Sequence, residues 1–182
     1  MKFIPTPLQD VFLLEPRVFG DARGFFVETW NEQTFHAAGF DLSFVQDNHS
    51  RSPRGILRGL HFQMQHTQGK LVRVVAGEVF DVVVDLRRNS PTLGQWYGVT
   101  LSDENQHMLW VPPGFAHGFY VTSEYADFLY KCTDFYHPAS EKTLAWNDPT
   151  LAIDWPVPAG QTPQLSAKDA QGEAWDEIPL FD

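Results

Sequence analysis

An all-β barrel or sandwich is the fold this chain predicts, on three observations. Short apolar segments rich in Val, Phe, Tyr and Trp recur from Leu71 onward. Turn clusters such as Asn89-Ser90-Pro91 and Pro112-Pro113-Gly114 separate them. Long helical periodicity is absent, which excludes βαβ units and the parallel sheet they would build. With 182 residues, 43% hydrophobic and 14% aromatic, a single domain spanning 1–182 is expected, with no repeat and no disordered segment.

The elements follow in order. Val11–Leu14 and Gly24–Trp30 read as N-terminal strands that pair with the main sheet or with a second subunit, because an exposed edge invites pairing. Asn31 is placed to cap a helix over Glu32–Ala38, with Gly39 as its stop. Leu71–Val75 and Val79–Leu86 flank Ala76-Gly77-Glu78, which reads as a hairpin turn. Further strands are expected over Trp96–Leu101, His107–Pro112, His117–Thr122 and Ala126–Tyr136. Ser166 is placed to cap a second short helix over Ala167–Gln171. The Pro-rich tail from Trp155 is expected to wrap the surface.

Charge narrows the function classes. A net charge of −10 excludes the basic face that nucleic acid requires. Yet Arg51, Arg54, Arg58, Lys70 and Arg73 fall close together, and a locally cationic pocket suits an anionic small molecule. Within that group Arg51 and Arg54, beside Pro53, read as solvated loop charges. The single cysteine, Cys132, excludes an intramolecular disulfide and fits a reducing compartment; in its apolar run it reads as a small strand residue. The opening "MKFIPTPLQDVFLLEP" is broken by Pro5, Pro7 and Asp10, so neither a signal peptide nor a membrane span is expected there. A cytoplasmic location follows as an expectation.

Chemistry concentrates in Gly55–Lys70, "GILRGLHFQMQHTQGK", and in "PPGFAH", which ends at His117. Alternate strand residues face one side, so His61 and Gln63 are expected to share a cavity. The spacing of these glycines, histidines and Lys70 resembles the two signature stretches of the cupin superfamily, which implies a jelly-roll barrel with a few short helices. Metal cupins use three histidines and a glutamate. Here Gln63 and Lys70 fall on two of those positions, leaving His61 and His117, and His66 is off the ligand spacing. A neutral amide is a poor ligand and an ammonium repels a cation, so no metal is expected. A cavity with two histidines and a lysine suits proton transfer or anion stabilisation instead.

Along nearly the whole chain, "GDARGFFVE", "FVQDNHSRS", "RGLHFQ", "QGKLVRVVAGEVFDVVVDLR", "SPTLGQW", "LWVPPGFAHGF", "EYADFLYK" and "LSAKD" resemble, in order, the dTDP-4-dehydrorhamnose 3,5-epimerase family. The resemblance implies cofactor-free inversion at C3 and C5 of a dTDP-4-keto-6-deoxy-hexose. It implies His61 as base, held by Asp169, Tyr130 as acid, and Lys70 with His117 at the C4 oxygen. Histidine and phenol suit those roles by their ordinary pKa values. By the same resemblance Arg58 contacts phosphate; Arg23, Glu28, Gln46, Asp47 and Asn48 contact the nucleotide, some from a second subunit of a homodimer. Phe26 and Tyr136 would stack on thymine, with Glu141 and Lys168 at the rim.

Read without the family, these residues have plainer roles. His61 and His117 fit hydrogen-bonded core histidines, Tyr130 a core tyrosine, Lys70 a loop lysine and Gln46-Asp47-Asn48 a turn. Three other activities stay open at this level: an epimerase acting at one carbon, a non-catalytic sugar-nucleotide-binding cupin, and a metal cupin such as a dioxygenase.

Overall fold

Thirteen strands build two facing antiparallel sheets and a separate hairpin. The computed structural model describes residues 1–182. In chain order the strands are β1 (Lys2–Pro5), β2 (Phe12–Glu15), β3 (Val18–Asp21), β4 (Gly24–Val27), β5 (Gln46–Pro53), β6 (Leu57–Gln63) and β7 (Lys70–Ala76). Then come β8 (Glu78–Asp85), β9 (Trp96–Ser102), β10 (Met108–Val111), β11 (Phe115–Val121), β12 (Tyr125–Cys132) and β13 (Glu141–Thr143). One sheet has the order β1-β2-β10-β7-β12-β5, the other β13-β6-β11-β8-β9, and β3 pairs only with β4. This is the jelly-roll architecture of the cupins.

Between the sheets lies a core that includes Val72, Val74, Val83, Phe119 and Phe128. A second core covers the outer face of the five-stranded sheet, where Leu151, Trp155 and Ile178 of the tail pack on Leu60, Phe62, Val82 and Val84. The tail therefore buries apolar surface. Single bridges tie it down at Ile56–Gln164, Leu144–Glu173 and Arg87–Phe181. Against the outer face of the six-stranded sheet packs helix α1 (Glu32–Ala37), with Phe35 fully buried beside Leu14, Leu71 and Met108. Asn31 caps it, its Oδ1 accepting from Thr34 N at 3.2 Å, and Gly39 leaves it at φ +90. At the other expected helix, Ser166 accepts from the backbone N–H of Asp169, but only a 3-10 turn forms over Asp169–Gln171.

The expected hairpin at Ala76-Gly77-Glu78 does not form. β7 pairs with β10 and β12, whereas β8 pairs with β11 and β9, so the turn carries the chain from one sheet to the other. The difference has a physical source. Because β8 is covered on both faces, it lacks the alternation that would assign it to a sheet. Gln46-Asp47-Asn48 opens edge strand β5 and is no turn; its polar residues suit a half-exposed edge.

Gly77 occupies its corner for steric reasons. Its φ is +76, and a Cβ there would lie 1.9 Å from the Tyr125 carbonyl oxygen. Gly77→Ala is expected to lower stability by about 2–4 kcal/mol, read as a fall in the urea midpoint.

Asp127, nearly buried on β12, accepts two hydrogen bonds from Arg51, at 2.8 and 2.6 Å, and lies 3.1 Å from His49 Nε2. Arg51, though exposed, is therefore more than a solvated loop charge. Its hydrogen bonds outweigh burial and hold the Asp127 carboxyl at about 2. A folded-state value below the unfolded one gives stability that is present above about pH 4 and lost as pH falls toward 2. Asp127→Asn is expected to flatten the stability curve in that window, measured by urea unfolding at a series of acid pH values.

Candidate active site

Alternation along β6 sends Leu60 and Phe62 outward, under the tail, and His61 and Gln63 into the barrel. Across the β6–β11 register, His61 sits opposite His117. The two strands approach closely because Gly59, at φ +128, faces Gly118; a Cβ on Gly59 would lie 2.6 Å from the Gly118 Cα.

Each histidine has a buried carboxylate. His61 Nε2 is 2.5 Å from Oδ1 of Asp169, whose other oxygen accepts from Ser166 Oγ at 2.8 Å. Burial pushes the Asp169 carboxyl up, but hydrogen bonds from His61, Ser166 and the Gly59 backbone outweigh it and hold it below its ordinary range. His117 Nε2 is 3.0 Å from both oxygens of Asp81, which is fully buried. Burial pushes the Asp81 carboxyl up, against the pull of His117 and Lys70. Sequence reasoning misses Asp81. A signal for it is present: an acid at the inward phase of the apolar run Val79–Val84, between Val79 and Val83.

The opposing sheet supplies Lys70 at the start of β7 and Tyr130 on β12. Burial pushes the Lys70 ammonium's pKa down, with Cys132, Glu141 and Asp81 acting against it, and no hydrogen bond or ion pair engages its Nζ. Burial, reinforced by Cys132 and Glu141, pushes the Tyr130 phenol up. His61, Lys70 and Tyr130 line both of two adjoining cavities. The larger, about 300 Å³, is also bounded by Gln46, Asn48, Gln63, Gln68, Phe115, Tyr136 and Glu141. Arg58, Ser50, His117 and Phe128 bound the smaller, about 160 Å³. Arg58 is steadied by Ser52, whose Oγ accepts from Nε at 2.9 Å.

At the mouth, Tyr136 donates its hydroxyl to Glu141 at 2.6 Å, and Lys168 pairs with the same carboxylate. That bond to Glu141 pushes the Tyr136 phenol up to about 12. Glu141 is raised by burial, yet held below its ordinary range by Lys168 and Tyr136.

Asp169 and Lys168 reach the site only through His61 and Glu141, and four further predicted residues lie away from the cavity of their own chain. Asp47 alternates away from Gln46 and Asn48 and binds Lys131 on the outer face at 2.8 Å. Arg23 and Phe26 lie on the β3–β4 hairpin, Arg23 folded onto Asp21 and Phe26 66% exposed. Glu28, just beyond, accepts from Asn31 Nδ2. Cys132 is fully buried and free. No group of three or more His, Cys, Asp or Glu is placed to hold a metal ion. At the position of a metal cupin's ligand, Gln63 turns its amide to backbone groups of His66, Phe135 and His137.

Known proteins resemble this chain over nearly its full length. The family model described as dTDP-4-dehydrorhamnose 3,5-epimerase matches residues 5–177. A Pseudomonas aeruginosa protein of that name is 59% identical over 182 residues, covering 100% of this chain and 99% of the relative. The Legionella pneumophila dTDP-6-deoxy-D-glucose-3,5-epimerase RmlC, solved in complex with dTDP-4-keto-L-rhamnose, superposes with a TM-score of 0.95 at 53% identity, covering 99% and 97% of the two chains. ChmJ, a 3'-monoepimerase from Streptomyces bikiniensis in complex with dTDP-quinovose, gives 0.87 at 32% identity, covering 93% and 86%. With a family match over nearly its full length, this chain belongs to the dTDP-4-dehydrorhamnose 3,5-epimerases.

Proposed function

We propose that this chain is an isomerase that inverts C3 and C5 of dTDP-4-dehydro-6-deoxy-D-glucose, giving dTDP-4-dehydro-L-rhamnose for dTDP-L-rhamnose biosynthesis. One observation supports it above the rest: His61 and Tyr130 project from opposite sheets into one cavity that also holds Lys70. Inversion needs a proton removed from one face of a carbon and another returned to the opposite face.

His61 removes the proton α to the C4 ketone. With Nε2–H donating to Asp169, Nδ1 carries the lone pair, and the carboxylate stabilises the imidazolium that forms. The electron pair left on carbon moves onto the C4 oxygen. Lys70 donates to that oxygen, supported by His117; an ammonium whose proton burial has loosened is a strong partner for an enolate. Tyr130, kept protonated by its raised pKa, gives its proton to the carbon from the other side. The scheme uses no cofactor.

The nucleoside lies in the larger cavity, with Gln46 and Asn48 beside it and Tyr136 against thymine, steadied by Glu141 and Lys168, while the diphosphate reaches Arg58 in the adjoining smaller cavity. Arg23, Phe26 and Glu28, and Asp47 on the outer face, belong to a homodimer in which each hairpin reaches the neighbouring subunit. The exposure of Phe19, Phe25 and Phe26 supports this, since an isolated two-stranded hairpin with an apolar surface is unstable alone. A cytoplasmic location completes the assignment, in keeping with the free Cys132; no helix is long and apolar enough to cross a membrane.

Incubation with the keto sugar in deuterated water, followed by proton NMR, is expected to show exchange at both C3 and C5. Exchange at one carbon alone would make the chain a single-carbon epimerase, and none at all would reduce it to a binding protein. His61→Ala is expected to slow exchange at both carbons at least about 100-fold, and near-normal exchange would remove His61 as base. Tyr130→Phe is expected to retain exchange but form little inverted product.

Asp169 also links the site to stability. Its carboxyl is held low in the fold, so its contribution is present above its unfolded value, about 4, and lost as pH falls below it. Asp169→Asn is expected to give a shallower acid limb of stability, measured by urea unfolding between about pH 5 and pH 3.

A further inference from the structure

Three glutamines hold one short irregular segment at the cavity mouth. Asp134–His137 belongs to no strand or helix, so its backbone groups have no ladder partners, and Phe135 and Tyr136 are 61% and 52% exposed. Side-chain amides reach it residue by residue. Gln68 Nε2 donates to the Asp134 carbonyl at 2.8 Å, and Gln63 Nε2 to the Phe135 carbonyl at 3.2 Å. Gln46 Oε1 accepts from Tyr136 N at 2.9 Å, and Gln63 Oε1 from His137 N at 3.0 Å. Gln63 also donates to the His66 carbonyl at 2.7 Å, tying the loop after β6 to the same segment. All three side chains stand in the cavity wall, and Gln63 is buried.

An exposed aromatic ring on irregular backbone binds a base well only if its position is fixed beforehand; otherwise binding must order it. Gln63 cannot shift freely, since its amide is committed to three backbone groups on two loops. We infer that Gln63 and Gln68 are positioning residues that preset Tyr136, and so determine affinity for the nucleoside diphosphate rather than the rate of proton transfer. The inference rests on the epimerase reading above. At the position where metal cupins carry a ligand, Gln63 thereby acts as a fastener between two loops.

The test uses the full-length variants Gln63→Met and Gln68→Met, with Gln65→Met, an exposed neighbour on the same loop, as control. Calorimetric titration with dTDP is expected to show a Kd raised about tenfold in each glutamine variant, as loss of one or two net hydrogen bonds implies. KM is expected to rise in step, with kcat within about twofold and the control unchanged. In a Tyr136→Ala background the effect of Gln63→Met on the dTDP Kd is expected to vanish, because the two act as one unit.

Unchanged dTDP affinity in both folded variants would overturn the proposal. So would a fall in kcat at constant KM, or additivity with Tyr136→Ala. Should Gln63→Met fail to fold, Gln68→Met, at a partly exposed position, decides alone. Failure of the epimerase reading is distinct, since wild-type protein would then show no deuterium exchange.

Discussion

Charge confined in an apolar barrel is the constraint on which this structure turns. His61, Asp169, His117, Asp81 and Lys70 all lie in or against a core of valines and phenylalanines, where an unpaired charge costs several kcal/mol. The fold meets that cost by pairing: each histidine takes one carboxylate, and no buried side-chain nitrogen or oxygen lacks a hydrogen-bond partner. Lys70, half-buried and facing both cavities rather than enclosed, is the one of the five with no direct partner. An unpaired cation at a cavity wall is what the proposed enolate chemistry calls for.

The same constraint explains the division of labour between the sheets. The five-stranded sheet carries both histidines, and its back is sealed by the tail. Its partner carries the lysine and the phenol, and its back is covered by α1 and the segment after it, through Phe35, Phe40, Leu42 and Phe44. Each wall is thus clamped from behind, which fixes rotamers at the front without placing covering residues in the cavity.

Much of this is legible in the residues, for reasons that differ by position. His61 and Gln63 follow from period two on a strand, and α1 from Asn31 and Gly39. The corner at Gly77 is not legible, because β8 is apolar on both faces and a tight turn between apolar runs looks like a hairpin in either case. Asp81 escapes notice although a lone acid inside "VFDVVVD" is costly enough to demand a partner. The polar run Gln46–Asn48 resembles a turn because an edge strand and a turn share composition. That Arg23 and Phe26 stand away from the cavity of their own chain is not visible in strand periodicity, which says nothing of where a separate hairpin sits.

The bond between His61 and Asp169 joins residues 108 positions apart, one from a central strand and one from the tail. The contact that orients His61 is thus closed by the same segment that covers Leu60 and Phe62, so site geometry and burial of the outer core are coupled.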